Sequence, residues 1–230
     1  MSGSVLVNGQ KVDKPGALIA GNEDILVKNE EHPFVSRGGV KLEEALSRLQ
    51  ISVEGTWCLD VGASTGGFTD CLLKHGAARV FAVDVGYGQL SWGLRHDPRV
   101  VVLERTNIRH LQPDALSDPV DLITIDVSFI SLRIVVPAVL KFLKKQGQIL
   151  ALVKPQFEVG KGKVGKGGVV RDQEQHQEVI QGLTGFFKSI NLDCKAMVPS
   201  PILGPKGNRE FFLRLVRFNI DEPDSTPLID

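Results

Sequence analysis

Short apolar runs that recur through the centre of the chain constrain its fold more than any other feature. Five β-branched runs of strand length occur in order, at 56–61, 79–85, 100–104, 121–127 and 148–154. Stretches with helical spacing, at 67–75 and 131–144, lie between some of these runs. Strands that alternate with crossover helices form a parallel sheet covered on both faces. The sequence therefore predicts an α/β fold.

Further elements are predicted on either side of this series. Before it, apolar residues at i, i+3, i+4 and i+7 indicate an amphipathic helix, namely Leu42, Ala45, Leu46 and Leu49. After it, the pattern predicts a helix near 173–190 and strands near 194–199 and 209–218. These last two strands can form an antiparallel pair at the edge of the sheet. The acidic tail, 221–230, is expected to be frayed.

Residues 1–28 have the pattern of short strands with turn residues between them. Asn8-Gly9 is a strong hairpin signal because both turn positions tolerate positive φ. Two or three strands without a covering helix are marginal in water, so this piece is expected to belong to something larger. The charged stretch that follows contains Pro33. We take 29–35 as a linker and 36–220 as the main domain.

The composition excludes several classes of protein. The sequence has 27 Lys+Arg and 27 Asp+Glu, so its formal net charge is zero and any binding of nucleic acid requires a local patch. Cys58, Cys71 and Cys194 are scattered and form no C-x-x-C pair. We therefore predict no metal site and a reducing, cytoplasmic compartment. No apolar run approaches the roughly 20 residues that span a bilayer, and no export signal is present.

A glycine-rich segment, LDVGASTGGF (59–68), lies where the first strand of the series turns into a helix. Parallel α/β sheets bind nucleotides at such turns, where a helix N-terminus offers free N–H groups. Asp60 stands two residues before the first glycine, and a carboxylate there suits an ammonium group better than a pyrophosphate. The pattern favours S-adenosylmethionine over NAD. A P-loop is excluded because G-x-x-x-x-G-K-[ST] is absent from this turn.

Other predicted cofactor contacts follow the next strands. Asp84 ends the second strand, 22 residues after Gly62, where a carboxylate can accept both ribose hydroxyls, and Asn107 can reach an adenine edge. The predicted set is Asp60, Gly62, Ala63, Ser64, Gly66, Gly67, Phe68, Asp84, Val85, Asn107, Ile108 and Asp126. The alternative is that the glycines only form a tight turn, which Asp60 caps.

The end of the fourth strand narrows the choice of methyl acceptor. Asp126-Val127-Ser128-Phe129 lacks the prolines usual for methylation of an exocyclic amine, and no cysteine is placed as a nucleophile for carbon-5 methylation. Charged residues remain at strand ends and near the first helix, namely Lys41, Asp126, Lys154 and Glu210. Burial and a neighbouring cation would favour a neutral Lys154 amine, which could take the proton of an attacking sugar hydroxyl. From spacing alone, Lys41 could equally be a solvated helix residue and Glu210 a surface charge on an edge strand.

Six segments of the chain resemble the TlyA family, in the same order: SRGGVKLEEAL, CLDVGASTGGFTDCLL, AVDVGYGQL, DLITIDVSFISL, LVKPQFEVGKGKVGKGGVVRD and GNREFFL. Proteins of this family, often labelled haemolysins, are ribosomal-RNA cytidine 2′-O-methyltransferases related to the FtsJ-type enzymes. The resemblance implies a Rossmann-like class I S-adenosylmethionine-dependent methyltransferase with a mostly parallel seven-stranded sheet and helices on both faces. It also implies a catalytic tetrad at Lys41, Asp126, Lys154 and Glu210.

The resemblance identifies VLVNGQKVDKPG (5–16) as the last part of an S4-like RNA-binding domain. A complete domain of that kind has helices before this segment, where the given sequence has only Met1-Ser2-Gly3-Ser4. We therefore expect S-adenosylmethionine binding but poor methylation of ribosomal RNA. Several apolar residues are expected to pack on the main domain, on a second copy, or to stay partly exposed: Val5, Val7, Ile19, Ile25 and Val27.

A local excess of basic residues offers a surface for RNA phosphates. Between 141 and 171, Glu158 is the single acid among eight basic residues: Lys141, Lys144, Lys145, Lys154, Lys161, Lys163, Lys166 and Arg171. The residues predicted to bind RNA are Arg37, Lys161, Lys163, Lys166 and Arg171. The lysines at 141, 144 and 145 could instead end a helix and complement its dipole.

Two other functions are weighed against the enzyme. A non-catalytic factor for RNA binding or ribosome assembly is the main alternative. A membrane-lysing toxin is disfavoured because no segment combines a large apolar face with the length to insert. The sequence predicts ribosomal RNA or a ribosomal subunit as partner and no membrane, and it leaves the choice between monomer and homodimer open.

Overall fold

The computed structural model describes residues 5–12, 14, 16–27, 32–160, 162, 164–165 and 167–218. The chain divides into two compact units, Met1–Pro33 and Phe34–Asp230. Each unit is built around its own sheet. The predicted tail, 221–230, lies outside the described residues.

The first unit contains a three-stranded antiparallel sheet in the order β2-β1-β3. Its strands are β1 (Val5–Val7), β2 (Gln10–Lys11) and β3 (Ile25–Val27). Asn8 and Gly9 both have positive φ, 49° and 78°, which confirms the predicted hairpin turn. Ile19 and Ile25 are exposed whereas Val7 is buried, so part of the apolar surface of this unit faces solvent.

The second unit alternates strands and helices along most of its length. Its strands are β4 (Trp57–Val61), β5 (Arg79–Val83), β6 (Val100–Leu103), β7 (Val120–Ile125), β8 (Leu143–Val153), β9 (Leu192–Pro199) and β10 (Phe211–Arg217). Its α-helices are α1 (Arg37–Arg48), α2 (Gly67–Lys74), α3 (Trp92–Arg95), α4 (Leu132–Val139), α5 (Pro155–Glu158) and α6 (Gln173–Ser189). Short 3₁₀ helices occupy Pro113–Ala115, Leu140–Phe142 and Pro205–Gly207.

The seven strands form one sheet in the order β6-β5-β4-β7-β8-β10-β9. The first five strands of this order are parallel, and β10 runs antiparallel to both β8 and β9. The predicted antiparallel pairing of the last two strands is therefore confirmed. The strand that follows Glu210 is internal to the sheet rather than at its edge, because β9 lies outside it.

Two apolar cores cover the two faces of this sheet. Side chains of α1 and α2, such as Leu42 and Leu72, pack on one face, whereas Val136 of α4 and Leu183 of α6 pack on the other. All four are fully buried, and burying a side chain of this size contributes about 1.5–3 kcal/mol. The predicted mostly parallel sheet with helices on both faces is confirmed.

The boundary between α4 and β8 differs from the prediction. The apolar spacing of 131–144 predicts a helix, but the chain leaves helical conformation at Leu143, which pairs with Val120 of β7. Lys144 therefore lies on β8 and binds Asp121 at 2.7 Å. Val120 is the first residue of β7, and Ile125, which pairs with Ala151, is its last. The lysines beside Leu143 are therefore about 17 Å, the length of β7, from the carboxyl ends of the strands. The alternative that Lys144 and Lys145 end a helix is therefore wrong, because both lie on β8.

Candidate active site

The carboxyl ends of β4, β7 and β8 meet the first turn of α1 around a cavity of about 330 Å³. Its lining residues are Ser36, Arg37, Gly38, Lys41, Gly62, Ala63, Ser64, Thr65, Gly67, Phe68, Asp126 and Lys154. The predicted glycine loop and three of the four predicted catalytic residues therefore share one cavity.

The glycines of the loop are required by contacts with the protein itself. Gly62 has φ +88°, and a Cβ there would collide with the main-chain carbonyl of Asp126. Gly66 has φ +99°, and a Cβ there would collide with Leu94. These two positions thus allow the loop to pack against β7 and α3, while neighbouring loop residues line the cavity.

Asp60 lies beneath this loop and is fully buried. Its carboxylate accepts hydrogen bonds from the hydroxyls of Thr69, at 2.7 Å, and Thr124, at 3.3 Å. Burial, reinforced by the charge of Asp126, raises its pKa to about 7. The carboxylate faces two threonines and is absent from the cavity lining, so it braces β4 against α2 and β7.

Asp84 lies just beyond the end of β5 and organises the neighbouring turn. Its two carboxylate oxygens accept hydrogen bonds from the main-chain N–H groups of Ser64, at 2.8 Å, and Gly86, at 2.6 Å. Each oxygen retains a lone pair for a further donor. Val85, the next residue, is 72% exposed, so its side chain is accessible to the ring of a bound cofactor.

The two predicted contacts beyond β6 differ in accessibility. Asn107 is half-buried, and its side-chain oxygen accepts hydrogen bonds from the main chain and Nε of Arg109. Ile108 is buried in the core. Like Asp84, they do not border the cavity described above.

The four predicted catalytic residues form two ion pairs. Lys154 Nζ lies 2.6 Å from Asp126 Oδ1 and donates a hydrogen bond to the Ser128 hydroxyl at 3.0 Å. The geometry at the Asp126 oxygen is that of an ion pair rather than of an aligned hydrogen bond. Lys41 Nζ lies 2.6 Å from Glu210 Oε2.

The second of these pairs is almost completely enclosed. The side chain of Glu210 is 0% exposed and that of Lys41 is 10% exposed. A solvated Lys41 and a surface Glu210 are therefore both excluded. Glu210 Oε1 is buried and has no hydrogen-bond partner within the described part of the chain.

The predicted RNA-binding residues are only partly described. Arg37 lines the cavity, and Arg171 is exposed just before α6. Lys161, Lys163 and Lys166 lie outside the described residues.

Asn208 ties the end of their glycine- and lysine-rich segment to the loop before β10. Its side chain is buried, accepts from Val170 N at 3.0 Å and donates to the Gly168 carbonyl at 3.1 Å. Gly168 and Val170, which follow the lysines in the chain, are thus bonded to a residue two positions before Glu210.

Two aromatic residues beside Lys154 were missed by the sequence interpretation. Phe129 has φ +64° and is 90% exposed, and its ring contacts Phe157 of α5 with 4.9 Å between the centroids. A bulky residue rarely adopts positive φ, and such backbone strain is concentrated at functional sites. The sequence feature that could have indicated this pair is Phe129 itself, an aromatic residue in the turn after the fourth predicted strand.

A parallel sheet of this order, with a ligand-sized cavity at the carboxyl ends of its central strands, defines a Rossmann-like methyltransferase fold. Residues 34–217 match the model of the FtsJ-like methyltransferase family. The chain belongs to this family.

Two curated relatives match nearly the whole chain. It is 47% identical over 215 residues to the 16S/23S rRNA (cytidine-2′-O)-methyltransferase TlyA of Mycobacterium tuberculosis, covering 93% of this chain and 80% of the relative. It is 41% identical over 223 residues to hemolysin A of Brachyspira hyodysenteriae, covering 94% of this chain and 90% of the relative.

A solved structure named as a hemolysin from Streptococcus thermophilus is 44% identical, with a TM-score of 0.81 over 97% of this chain and 81% of that one. The hemolysin names raise the question of membrane contact. No helix in the described ranges is both long and apolar enough to cross a membrane.

Proposed function

We propose that the protein is a cytoplasmic S-adenosylmethionine-dependent 2′-O-methyltransferase that acts on cytidine in ribosomal RNA. The family match and the name of the Mycobacterium tuberculosis relative support this assignment. The observation that carries it is the Lys154–Asp126 pair on the wall of the cavity that the glycine loop also lines.

The donors around the cavity fit the proposed cofactor. The glycine loop supplies main-chain groups, and Asp84 has acceptor capacity for the ribose hydroxyls. Asp60 would act indirectly, by holding the strand and helix that carry the loop. When bound, S-adenosylmethionine supplies an electrophilic methyl group on a sulfonium.

The ion pair next to the loop would handle the proton of the attacking hydroxyl. Lys154, in its neutral form, would accept the 2′-hydroxyl proton while the oxygen forms its bond to the methyl carbon, the methyl–sulfur bond breaks and the electron pair of that bond stays on the sulfur. Asp126 and Ser128 hold the lysine nitrogen in place and then stabilise the ammonium that results. Lys41, held by Glu210, also lines the cavity and would orient the ribose. Alignment of the reacting atoms would be the main catalytic contribution.

The exposed Phe129 ring provides a surface for the target base. It is held against Phe157, on the helix that begins directly after Lys154. Base–aromatic stacking contributes about 1–3 kcal/mol, enough to hold an unstacked nucleotide. Arg37 and the segment that carries Lys161, Lys163 and Lys166 would bind phosphates. The first unit would serve as an S4-like RNA-binding element.

The experiment is methylation of ribosomal subunits by the purified protein with labelled S-adenosylmethionine, followed by nucleoside analysis. We expect label in 2′-O-methylcytidine. Label in a methylated base or in another nucleoside would overturn the assignment. Binding of ribosomal RNA without any transfer would favour the non-catalytic RNA-binding factor.

Calorimetry tests the cofactor separately. Asp84→Ala should weaken S-adenosylmethionine binding at least about ten-fold, because it removes an acceptor for two hydroxyls and unties Ser64 and Gly86. Asp118→Ala, at an exposed carboxylate, is the control. Equal affinities of the two variants would contradict the proposed role of Asp84.

A further inference from the structure

Two segments carry the Lys154–Asp126 pair, and they come from different strands. Asp126 lies on the segment between β7 and α4, and Lys154 lies between β8 and α5. The distance of 2.6 Å between their charged atoms therefore depends on how these two strand-end segments are held together.

Glu158 joins the same two segments at a second place. Its Oε2 accepts a hydrogen bond from the Ser131 hydroxyl at 2.6 Å, and its Oε1 accepts one from Leu132 N at 2.8 Å. Glu158 is the last residue of α5, and Lys154 is the residue that caps the start of this single helical turn. The carboxylate thus fixes one end of a turn whose other end carries the lysine.

The partner of Glu158 is a rigid part of the fold. Leu132 begins α4, whose Leu132, Val135 and Val136 are buried in the core. Glu158 itself is half-buried, and burial raises its pKa even though it accepts two hydrogen bonds. A partly desolvated carboxylate with two donors is held more firmly than an exposed one.

We propose that Glu158 is a positioning residue for Lys154. It docks α5 on the start of α4, and this contact sets where the lysine nitrogen lies relative to Asp126. Both carboxylate oxygens of Glu158 already accept hydrogen bonds from the start of α4, so Glu158 acts through Lys154. This inference rests on the proposed function, because it concerns the proposed reacting lysine.

The experiment compares Glu158→Ala and Glu158→Gln under single-turnover conditions. Glu158→Ala should lower the methyl-transfer rate about 10- to 100-fold, the effect of a misplacement of about 1 Å. Its affinity for S-adenosylmethionine should stay within about two-fold, because the glycine loop is untouched. Glu158→Gln should retain the rate within about three-fold, because an amide can accept from Leu132 N and donate to Ser131.

A matched control separates positioning from loss of stability. Val80→Ala creates a cavity under β5, in the core on the other face of the sheet from α4 and α6, and should lower the melting temperature without a comparable loss of rate.

The outcomes distinguish this inference from the proposed function. If wild-type protein transfers methyl groups to ribosomal RNA but Glu158→Ala keeps its rate, or loses no more than Val80→Ala, Glu158 does not position Lys154. If Glu158→Gln is as slow as Glu158→Ala, hydrogen-bonded docking is not the cause. If wild-type protein transfers no methyl group, the proposed function itself fails.

Discussion

Two lysine–carboxylate pairs of equal length lie next to the same cavity, yet their surroundings differ. Both have 2.6 Å between nitrogen and oxygen. Asp126 keeps 22% of its side-chain surface exposed and lines the cavity together with Lys154. Glu210 is fully enclosed, and only its partner Lys41 reaches the cavity. This difference supports the proposal that the open pair, Lys154 and Asp126, transfers the proton, and that the closed pair, Lys41 and Glu210, holds a fixed cation.

The largest expected effect is at the open pair. Lys154→Ala should lower methyl transfer about 10²- to 10⁴-fold, the usual contribution of a general base, while S-adenosylmethionine affinity stays within a few-fold. Lys154→Arg should be equally inactive because a guanidinium stays protonated. Single-turnover rates and calorimetry on the same preparations measure both quantities. Transfer at the wild-type rate by either variant would assign proton removal to another group.

The closed pair should contribute more to stability. Glu210→Ala leaves the buried Lys41 without its anion, and breaking such a pair costs about 3–5 kcal/mol. Asp126→Ala should cost less, about 1–2 kcal/mol, because Lys154 keeps Ser128 and Asp126 is itself partly exposed, unlike Glu210. Urea unfolding of both variants measures the difference. Equal losses would remove the distinction between the pairs.

Asp60 extends the comparison to a buried carboxylate without a lysine partner. Its pKa in the folded protein is about 7, against 3.8 ordinarily, so the folded state binds the proton more tightly than the unfolded state. The resulting stabilisation is complete below about pH 4 and is lost as the pH rises through 7. Asp60→Asn carries no charge at either pH. When the pH is raised from 5 to 8, its free energy of unfolding should therefore rise by about 2–3 kcal/mol relative to that of wild type. Denaturant midpoints of both proteins at pH 5 and pH 8 test this. The same difference between variant and wild type at both pH values would contradict it.

The smallest effect is expected for Lys144 and Lys145, which lie at the start of β8, far from the carboxyl ends of the strands that border the cavity. Lys144→Ala and Lys145→Ala should change affinity for ribosomal RNA by less than about two-fold and leave its salt dependence unchanged, because neither lysine would neutralise a bound phosphate. Arg37→Ala, at the cavity, is the comparison variant and should weaken binding and flatten the salt dependence. Filter binding across a salt series decides between them. A weaker dependence of log affinity on log salt for Lys144→Ala would show that RNA also contacts the end of the sheet where β8 begins.

The sequence predicted the sheet and most of the residues around its cavity because both follow from local patterns. β-branched runs predicted the strands, and the glycine loop marked the turn after β4. The sequence could not show which carboxylate pairs with which lysine, since Lys41 and Glu210 are 169 residues apart and meet only through the order of the sheet.

Local patterns failed where tertiary pairing decided the conformation. Apolar spacing continues past Phe142, but pairing of Leu143 with Val120 converts the segment to strand. Asp60 has the right spacing for a cofactor contact, yet the hydroxyls of Thr69 and Thr124 turn it away from the cavity. The role proposed for Glu158 depends on contacts with Ser131 and Leu132, which no spacing indicates.

Chemical rescue tests the central claim, that the Lys154 amine takes the proton of the attacking hydroxyl, most directly. Single-turnover methyl transfer to ribosomal RNA by Lys154→Ala and by Lys41→Ala is measured with increasing concentrations of methylamine at constant pH and ionic strength. Methylamine should restore transfer by Lys154→Ala in proportion to its concentration and should have no effect on Lys41→Ala. Rescue of Lys41→Ala, with none for Lys154→Ala, would contradict the claim.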